Sequence, residues 1–279
     1  MKVFFEVDSI NIFKRPNQSV TTFADIPHSV KFHKHDFYEM IVVTNGSGTH
    51  QIETQSFQVR RGDVFVIPPM IGHAYEGGET LEIQNIMIKT DFIKNHETES
   101  KYVPGYIQLM EVEPFLRQNS KYPMFLHLSS TQLTEIQHDI KYFERDSQFD
   151  REDFSALHNH TALRLIYLLS LMLHNQINST KEDSSAKYKA QILDTLEYMH
   201  LNFSQKITVE ELANRIFLSR STFLRNFQAV CGCTPIQYLN TYRVNKATEM
   251  LTFSEKSKTE IAHSCGFYDL SHMERSINK

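Results

Sequence analysis

The sequence predicts an α+β chain, a strand-rich first half followed by helices alone. Three observations carry this. Short apolar or alternating runs, divided by glycine, proline and asparagine clusters, follow one another between Tyr38 and Ile88. After Ser129 the apolar residues recur at helical spacing. The length of 279 residues exceeds one ordinary domain of about 100–150 residues and suits two.

Residues 38–44 are apolar and β-branched, and Asn45-Gly46-Ser47-Gly48 ends that strand in a turn. Phe57 and Val59 alternate with polar residues, Arg61-Gly62-Asp63 reads as a turn, and residues 64–67 form a short apolar run stopped by Pro68-Pro69. Leu81, Ile83, Ile86 and Ile88 mark another strand. Short strands at this spacing predict a barrel or sandwich. Leu133, Ile136, Ile140 and Phe143 form one helical stripe; Phe154, Leu157, Thr161, Leu165, Leu168 and Met172 form a second. The second helix is apolar nearly all round between Leu163 and Leu173, which predicts burial on more than one side. Residues 176–187 are polar and serine-rich and read as a linker. The expected segments are therefore 1–175, the linker 176–187, and an all-helical 188–279.

The formal charge of −4 is unevenly spread. From Tyr188 onward there are 11 lysines and arginines and 9 acidic residues, whereas the rest of the chain has 18 and 24. The C-terminal part can approach a polyanion and the N-terminal part is repelled by one. Cys231, Cys233 and Cys265, odd in number and late in the chain, read as reduced, packed thiols. The N-terminus lacks the apolar core of a signal peptide, and the most apolar stretch, residues 165–173, is less than half the ~20 residues of a membrane span. A soluble, cytoplasmic protein without membrane contact is expected.

His33, His35 and Glu39 stand as H-x-H-x3-E, with Gly46 following. They share parity, so on one regular strand their side chains would share a face. Gly62, Pro68 and His73 form G-x5-P-x4-H, which can bring a further imidazole from a neighbouring strand. Imidazoles with a carboxylate suit a divalent transition metal, or equally the polar wall of a ligand pocket. These segments resemble the paired motifs of the cupin fold, with Met70 where many cupins have glycine. The resemblance implies a cupin-like β-barrel. It also implies that a metal, where one is bound, takes His33, His35, Glu39 and His73. No cofactor is required by the pocket reading, in which those four residues and Tyr75 contact a small ligand.

Thr208 to Glu211 opens a helix in the manner of a capping box, Leu212, Ala213 and Ile216 give it a core face, and Phe217-Leu218-Ser219 makes a turn. Ser219 can cap the next helix, where Phe223 and Phe227 point inward and Ser221, Leu224, Arg225 and Gln228 outward. This is the helix-turn-helix pattern. It recurs with a short helix at residues 259–264, a turn at Cys265-Gly266-Phe267, and a helix capped by Asp269 through Met273, Arg275 and Ile277. Thr234-Pro235 starts the long helix between the two units.

The segment from Tyr188 to Lys279 resembles the AraC/XylS family of transcription regulators. The matches are Leu212-Ala213 through Leu218-Ser219-Arg220-Ser221, Gly232 through Leu239, and Ile261-Ala262-His263-Ser264-Cys265-Gly266-Phe267. The first half is similar to the rhamnose-operon regulators of that family through His35-Asp36-Phe37-Tyr38-Glu39, Gly46 to His50, Arg61-Gly62-Asp63 and Gln84-Asn85-Ile86. The resemblance implies a cupin-like sensing and dimerisation domain over 1–175 and a double helix-turn-helix DNA-binding domain over 188–279. It implies a sequence-specific, sugar-responsive activator rather than an enzyme. Its partners would be double-stranded DNA, a carbohydrate effector, a second copy of the chain and RNA polymerase. Ser221, Leu224 and Arg225 would face one major groove, and Leu270, Ser271, Glu274 and Arg275 the next. The alternatives are a metal-dependent cupin enzyme and a DNA-defective member, since the sequence stops at Lys279 before the closing helix the resemblance leads one to expect. Without that helix, the helix after Asp269 is expected to fray.

Overall fold

The computed structural model describes residues 5–7, 12–13, 18–25, 29–77, 80–119, 126–147, 155–179 and 184–278. The chain splits into two compact units, with the main break between Ile177 and Asn178.

Among its described residues the first unit carries ten strands: β1 (Phe5–Val7), β2 (Val20–Asp25), β3 (Ser29–His35), β4 (Tyr38–Asn45), β5 (Ser47–Ile52), β6 (Gln55–Arg60), β7 (Asp63–Ile67), β8 (His73–Gly77), β9 (Glu82–Ile88) and β10 (Leu126–His127). They form two five-stranded sheets, ordered β1-β3-β8-β5-β6 and β10-β7-β4-β9-β2. The expected barrel is therefore an open, cupin-like sandwich, with no ladder joining the sheets among the described residues. One core cluster draws on both sheets: Ile41, Phe65, Ile67 and Ile83 from one, Ile52, Val59 and Tyr75 from the other. In β4 every residue from Tyr38 to Val43 is buried. A strand covered on both faces needs an unbroken apolar run, which is why its sequence shows no alternation.

The strands lead into α1 (Thr90–Ser100), a π-turn (Gln108–Val112), α2 (Glu113–Asn119), α3 (Ser130–Ser147) and α4 (Ser155–Ser179). Arg117 of α2 is fully buried, ion-paired with Glu113 at 2.8 Å and donating to the Val66 carbonyl of β7. Gly105 takes φ +82, and a side chain there would meet the Ser170 carbonyl of α4 at 2.1 Å. The four stripe residues of α3, Leu133, Ile136, Ile140 and Phe143, are buried as their spacing predicts.

Helix α4 differs from expectation. Its buried face is Ala162, Leu165, Ile166, Leu169, Ser170, Leu173 and Ile177, whereas Leu157 and Leu171 are exposed and Leu168 and Met172 only half-buried. Within one chain the helix is covered on one side, each buried leucine or isoleucine contributing about 1.5–3 kcal/mol. Phe154, read as its first residue, lies outside the described residues. The expected linker is also largely helical: α4 continues to Ser179 and the next helix opens at Ser184. Neither 176–179 nor 184–187 contains glycine or proline, so nothing local opposes helix in those two stretches. Residues 180–183 lie outside the described residues.

The second unit is all helical: α5 (Ser184–Leu201), α6 (Val209–Arg215), α7 (Arg220–Cys231), α8 (Pro235–Phe253), α9 (Lys258–Ser264) and α10 (Leu270–Ile277). Side-chain caps start the last five. Thr208 accepts from the Glu211 amide, Ser219 from Thr222 and Asp269 from His272. Thr234 with Gln237, and Ser257 with Glu260, close full capping boxes. The box expected at Thr208 is only half made, because the Glu211 carboxylate accepts instead from the Tyr198 hydroxyl at 2.5 Å.

The two helix-turn-helix turns are built alike. Leu218 N–H donates to the Ala213 carbonyl at 3.0 Å, and Phe267 N–H to the Ala262 carbonyl at 2.9 Å. The residue before each donor is left-handed: Phe217 at φ 56 and Gly266 at φ 75. Met273 is fully buried in a cluster with Ala247, Ile261, Ala262, Cys265 and Phe267, with Leu270 and Ile277 packed beside it. Among the described residues α10 is thus anchored on α8 and α9, and the expected fraying has no support in this packing.

Candidate functional site

The first site lies between the sheets. β3 delivers His35, and β8 delivers His73 and Tyr75 on one face by period two. Glu39 is not on the same strand as His35. The chain bends at Asp36-Phe37, and Glu39 belongs to β4 of the opposite sheet. The shared parity read from the sequence therefore does not place these groups together; the crossing between sheets does. Glu39 Oε2 stands 3.4 Å from His35 Nε2 and 3.4 Å from His73 Nε2, and all three residues are buried. His33 pairs with His73 across the β3–β8 ladder with ring centroids 4.2 Å apart. Its Nδ1 turns to the Lys31 carbonyl at 3.0 Å, and it lies outside the cluster of mutually close ligand atoms.

His50 was not singled out from the sequence, yet it is fully buried in the same place. Its ring is sandwiched between Tyr75 at 4.5 Å and Phe65 at 4.7 Å, with the Arg117 guanidinium 4.9 Å beyond Phe65. Its register opposite Phe57 and Tyr75 on the ladders of β5 was the signal, and it needed the pairing to be seen. Burial pushes the His50 and His73 rings well below the usual imidazole value, with Arg117 adding repulsion at His50 and His35 at His73. Burial raises the Tyr75 phenol, and the Glu39 charge adds to the effect.

Seven buried polar atoms here make no hydrogen bond among the described residues: His35 Nε2, Glu39 Oε2, both ring nitrogens of His50 and of His73, and the Tyr75 hydroxyl. Folded proteins tolerate only a few such atoms per hundred residues, since each costs about 1–3 kcal/mol. Concentrated on five residues, they mark a place built to receive polar partners.

A divalent metal, which metal-binding members of the cupin fold hold at these positions, suits three of the four expected ligands. His35 Nδ1 sits 2.7 Å from the Phe37 carbonyl, which fixes the proton there and leaves Nε2 as a lone pair facing Glu39. Two ligands about 2.1 Å from one tetrahedral ion stand about 3.4 Å apart, matching both Glu39 separations. His33 does not fit.

The second site is on the helical unit. On α7, Phe223 and Phe227 are fully buried, Ser221 and Arg225 exposed, and Leu224 half-exposed. Arg220 beside them is bonded to Glu210 at 2.8 Å. On α10, Ser271, Glu274 and Arg275 are exposed and Leu270 half-buried against the core. Glu274 lies 3.7 Å from Lys258, and the Arg275 Nε donates to the Ser271 carbonyl at 3.1 Å. The outward side chains of α10 are thus partly engaged by their own unit, whereas no such pairing is found at Arg225 among the described residues. No helix among the described residues is long and apolar enough to cross a membrane.

Residues 17–120 match the family described as the AraC-like ligand binding domain, and residues 212–279 match a helix-turn-helix domain family. The HTH-type transcriptional activator RhaS of Klebsiella pneumoniae is 28% identical over 265 residues, covering 95% of this chain and 89% of that protein. RhaS of Escherichia fergusonii is 27% identical over 268 residues, covering 96% and 90%. The DNA-binding domain of AdpA, a global transcriptional factor solved with a target DNA, is 31% identical over 31% of this chain and 78% of that one, with a TM-score of 0.30. The resemblance noted in the sequence thus extends through both units, and the chain belongs to the AraC family of transcription regulators, with a ligand-binding domain ahead of its helix-turn-helix domain.

Proposed function

We propose that the chain is a cytoplasmic, effector-controlled activator, with residues 1–175 sensing a small polar molecule and residues 188–279 reading DNA. The observation that carries the sensing half is the set of seven buried polar atoms without a hydrogen bond among the described residues, on His35, Glu39, His50, His73 and Tyr75. Hydroxyl groups of a monosaccharide both donate and accept, and so suit this mixture of imidazole, carboxylate and phenol. His35, Glu39 and His73 would hold a divalent ion, which would act as a Lewis-acid anchor for one effector oxygen. His33, half-buried with its ring 4.2 Å from that of His73, would contact the effector from beside this set. An enzyme built on the same three residues would leave the helical unit without a role.

For the DNA half, Ser221, Leu224 and Arg225 on α7 form the principal reading face, with Leu270, Ser271, Glu274 and Arg275 on α10 in the next groove. A second copy of the chain packs on the outer face of α4, where Leu157, Leu168, Leu171 and Met172 lie uncovered or half-covered. RNA polymerase is the further partner an activator requires. The deciding experiment measures binding of the full chain to a duplex selected from a random pool, at several salt concentrations, with and without each member of a sugar panel. Specific binding whose affinity shifts with one sugar is expected. Binding without sequence preference, or indifferent to every sugar and to divalent metal, overturns the reading.

A further inference from the structure

The helical unit contains a tie between its two halves. α5 packs on α7, and α9 and α10 pack on α8. The loop at residues 202–205, which follows α5, belongs to the first half by sequence. Its carbonyls nonetheless face the second half. Arg243 of α8 donates from Nε to the Phe203 carbonyl at 2.7 Å and from a terminal nitrogen to the Gln205 carbonyl at 2.7 Å. The second turn closes on the same loop. At Gly266 a side chain would meet the Phe203 and Ser204 carbonyls at 2.8 Å and Arg243 at 3.0 Å. The Phe203 ring packs on the Met273 cluster and lies edge-on to Tyr242, on which the His200 ring of α5 stacks at 3.8 Å.

We propose that Arg243 is a positioning residue for DNA reading. It fastens the loop after α5 to the turn that precedes α10, and so fixes the separation at which α7 and α10 present their side chains. The guanidinium is suited to this. Its fork supplies two donors in a fixed plane to two carbonyls of one loop, and the absence of a side chain at Gly266 lets the turn seat against them. Lysine offers a point charge on a flexible stem and cannot hold both carbonyls in one geometry. Apart from this loop, the second half reaches the first mainly through α8, which packs on α7 as well as on α9 and α10. A swing of one half against the other matters, because one base pair displaces a recognition helix by about 3.4 Å and turns it by about 35°.

The inference rests on the reading that both α7 and α10 enter grooves, and the test separates the two. The wild-type full chain selects a duplex from a random pool, and derivatives carry one base pair inserted between its two protected boxes. The wild type should bind the inserted duplex at least about tenfold more weakly, and Arg243→Met should reduce that penalty to about threefold or less. Affinity of Arg243→Met for a duplex keeping only the box read by α7 should change less than about twofold. Arg243→Lys should give an intermediate spacing penalty, and Gly266→Ala should loosen spacing as Arg243→Met does. If Arg243→Met does not fold by circular dichroism, these last two variants decide the matter. An unchanged spacing ratio, or an equal loss on every duplex, reduces Arg243 to a stabilising contact and overturns the proposal. A single protected box, or full binding by both Arg225→Ala and Arg275→Ala, removes the two-groove reading and this inference with it.

Discussion

Replacing Phe217 by glycine should make the helical unit more stable. Phe217 ends α6 in the left-handed region at φ 56 and its side chain is 94% exposed. The ring therefore contributes almost no burial, while the backbone holds a conformation that costs an L-residue about 1–2 kcal/mol. The matching turn of the second unit shows the relaxed solution, with Gly266 at φ 75 below the same hydrogen bond to an alanine carbonyl. Glycine loses more backbone entropy on folding, about 0.5–1 kcal/mol. The net gain expected for Phe217→Gly is thus about 0.5–1 kcal/mol, consistent with the preference for glycine at this helix end. Amide exchange reads it directly. If the core amide of Phe223 exchanges by opening of the whole unit, 1 kcal/mol slows it about fivefold. Gly266→Ala should act in the opposite sense, because its methyl meets two carbonyls at 2.8 Å. Faster exchange at Phe223 in Phe217→Gly would show that the exposed ring is held by contacts worth more than the strain, and would refute this reasoning.

Arg225→Ala should relax preference at one base pair by about 1–3 kcal/mol, because a guanidinium facing O6 and N7 of guanine discriminates by that amount; equal weakening on all sequences in competition assays would make Arg225 a phosphate contact. Leu168→Glu with Leu171→Glu should give a monomer by light scattering, and an unchanged mass would place the interface elsewhere than α4. Lowering the pH should destabilise the first unit. His50 and His73 are held below their usual value of about 6.5 by burial first. The unfolded chain therefore takes up protons near that pH while the folded chain does not, so stability is complete above it and declines as pH falls below it. Each neutral ring adds to the decline below that pH, and urea titrations should show a shallower decline in His50→Gln than in the wild type. A flat profile between about pH 7.5 and about pH 5.5 would mean that these rings are not buried and neutral.

What was legible in the sequence follows from which physics is local. Caps, turns and 3.6-residue stripes involve neighbours along the chain, so Ser219, Asp269 and the α3 stripe could be read directly. The inward phenylalanines of α7 fixed its outward face in the same way. The pairing of strands is not local. β3, β5 and β8 mix polar and apolar residues because they carry the site, which blurs the period that would have revealed them. His50 stayed hidden for that reason, and the meeting of His35 with Glu39 was credited to one strand when it depends on two sheets. The helical continuation of α4 to Ser179 escapes a reading by composition, because polarity alone does not end a helix. Arg243 carried no sequence signal, since its partners are backbone carbonyls 38 and 40 residues away.

The contact at Gly105 has a mechanical consequence. No side chain lies between this backbone and the Ser170 carbonyl of α4, and an added methyl carbon would stand 2.1 Å from that oxygen. Side-chain contacts absorb small displacements through rotamer changes, whereas two backbones in direct contact have no such slack. Gly105 leads within three residues into the π-turn at Gln108, which lies against β7. The segment therefore works as a stiff strut. At the Gly105–Ser170 contact a displacement of one backbone reaches the other without a side chain to absorb it. Gly105→Ala would wedge the strut open permanently.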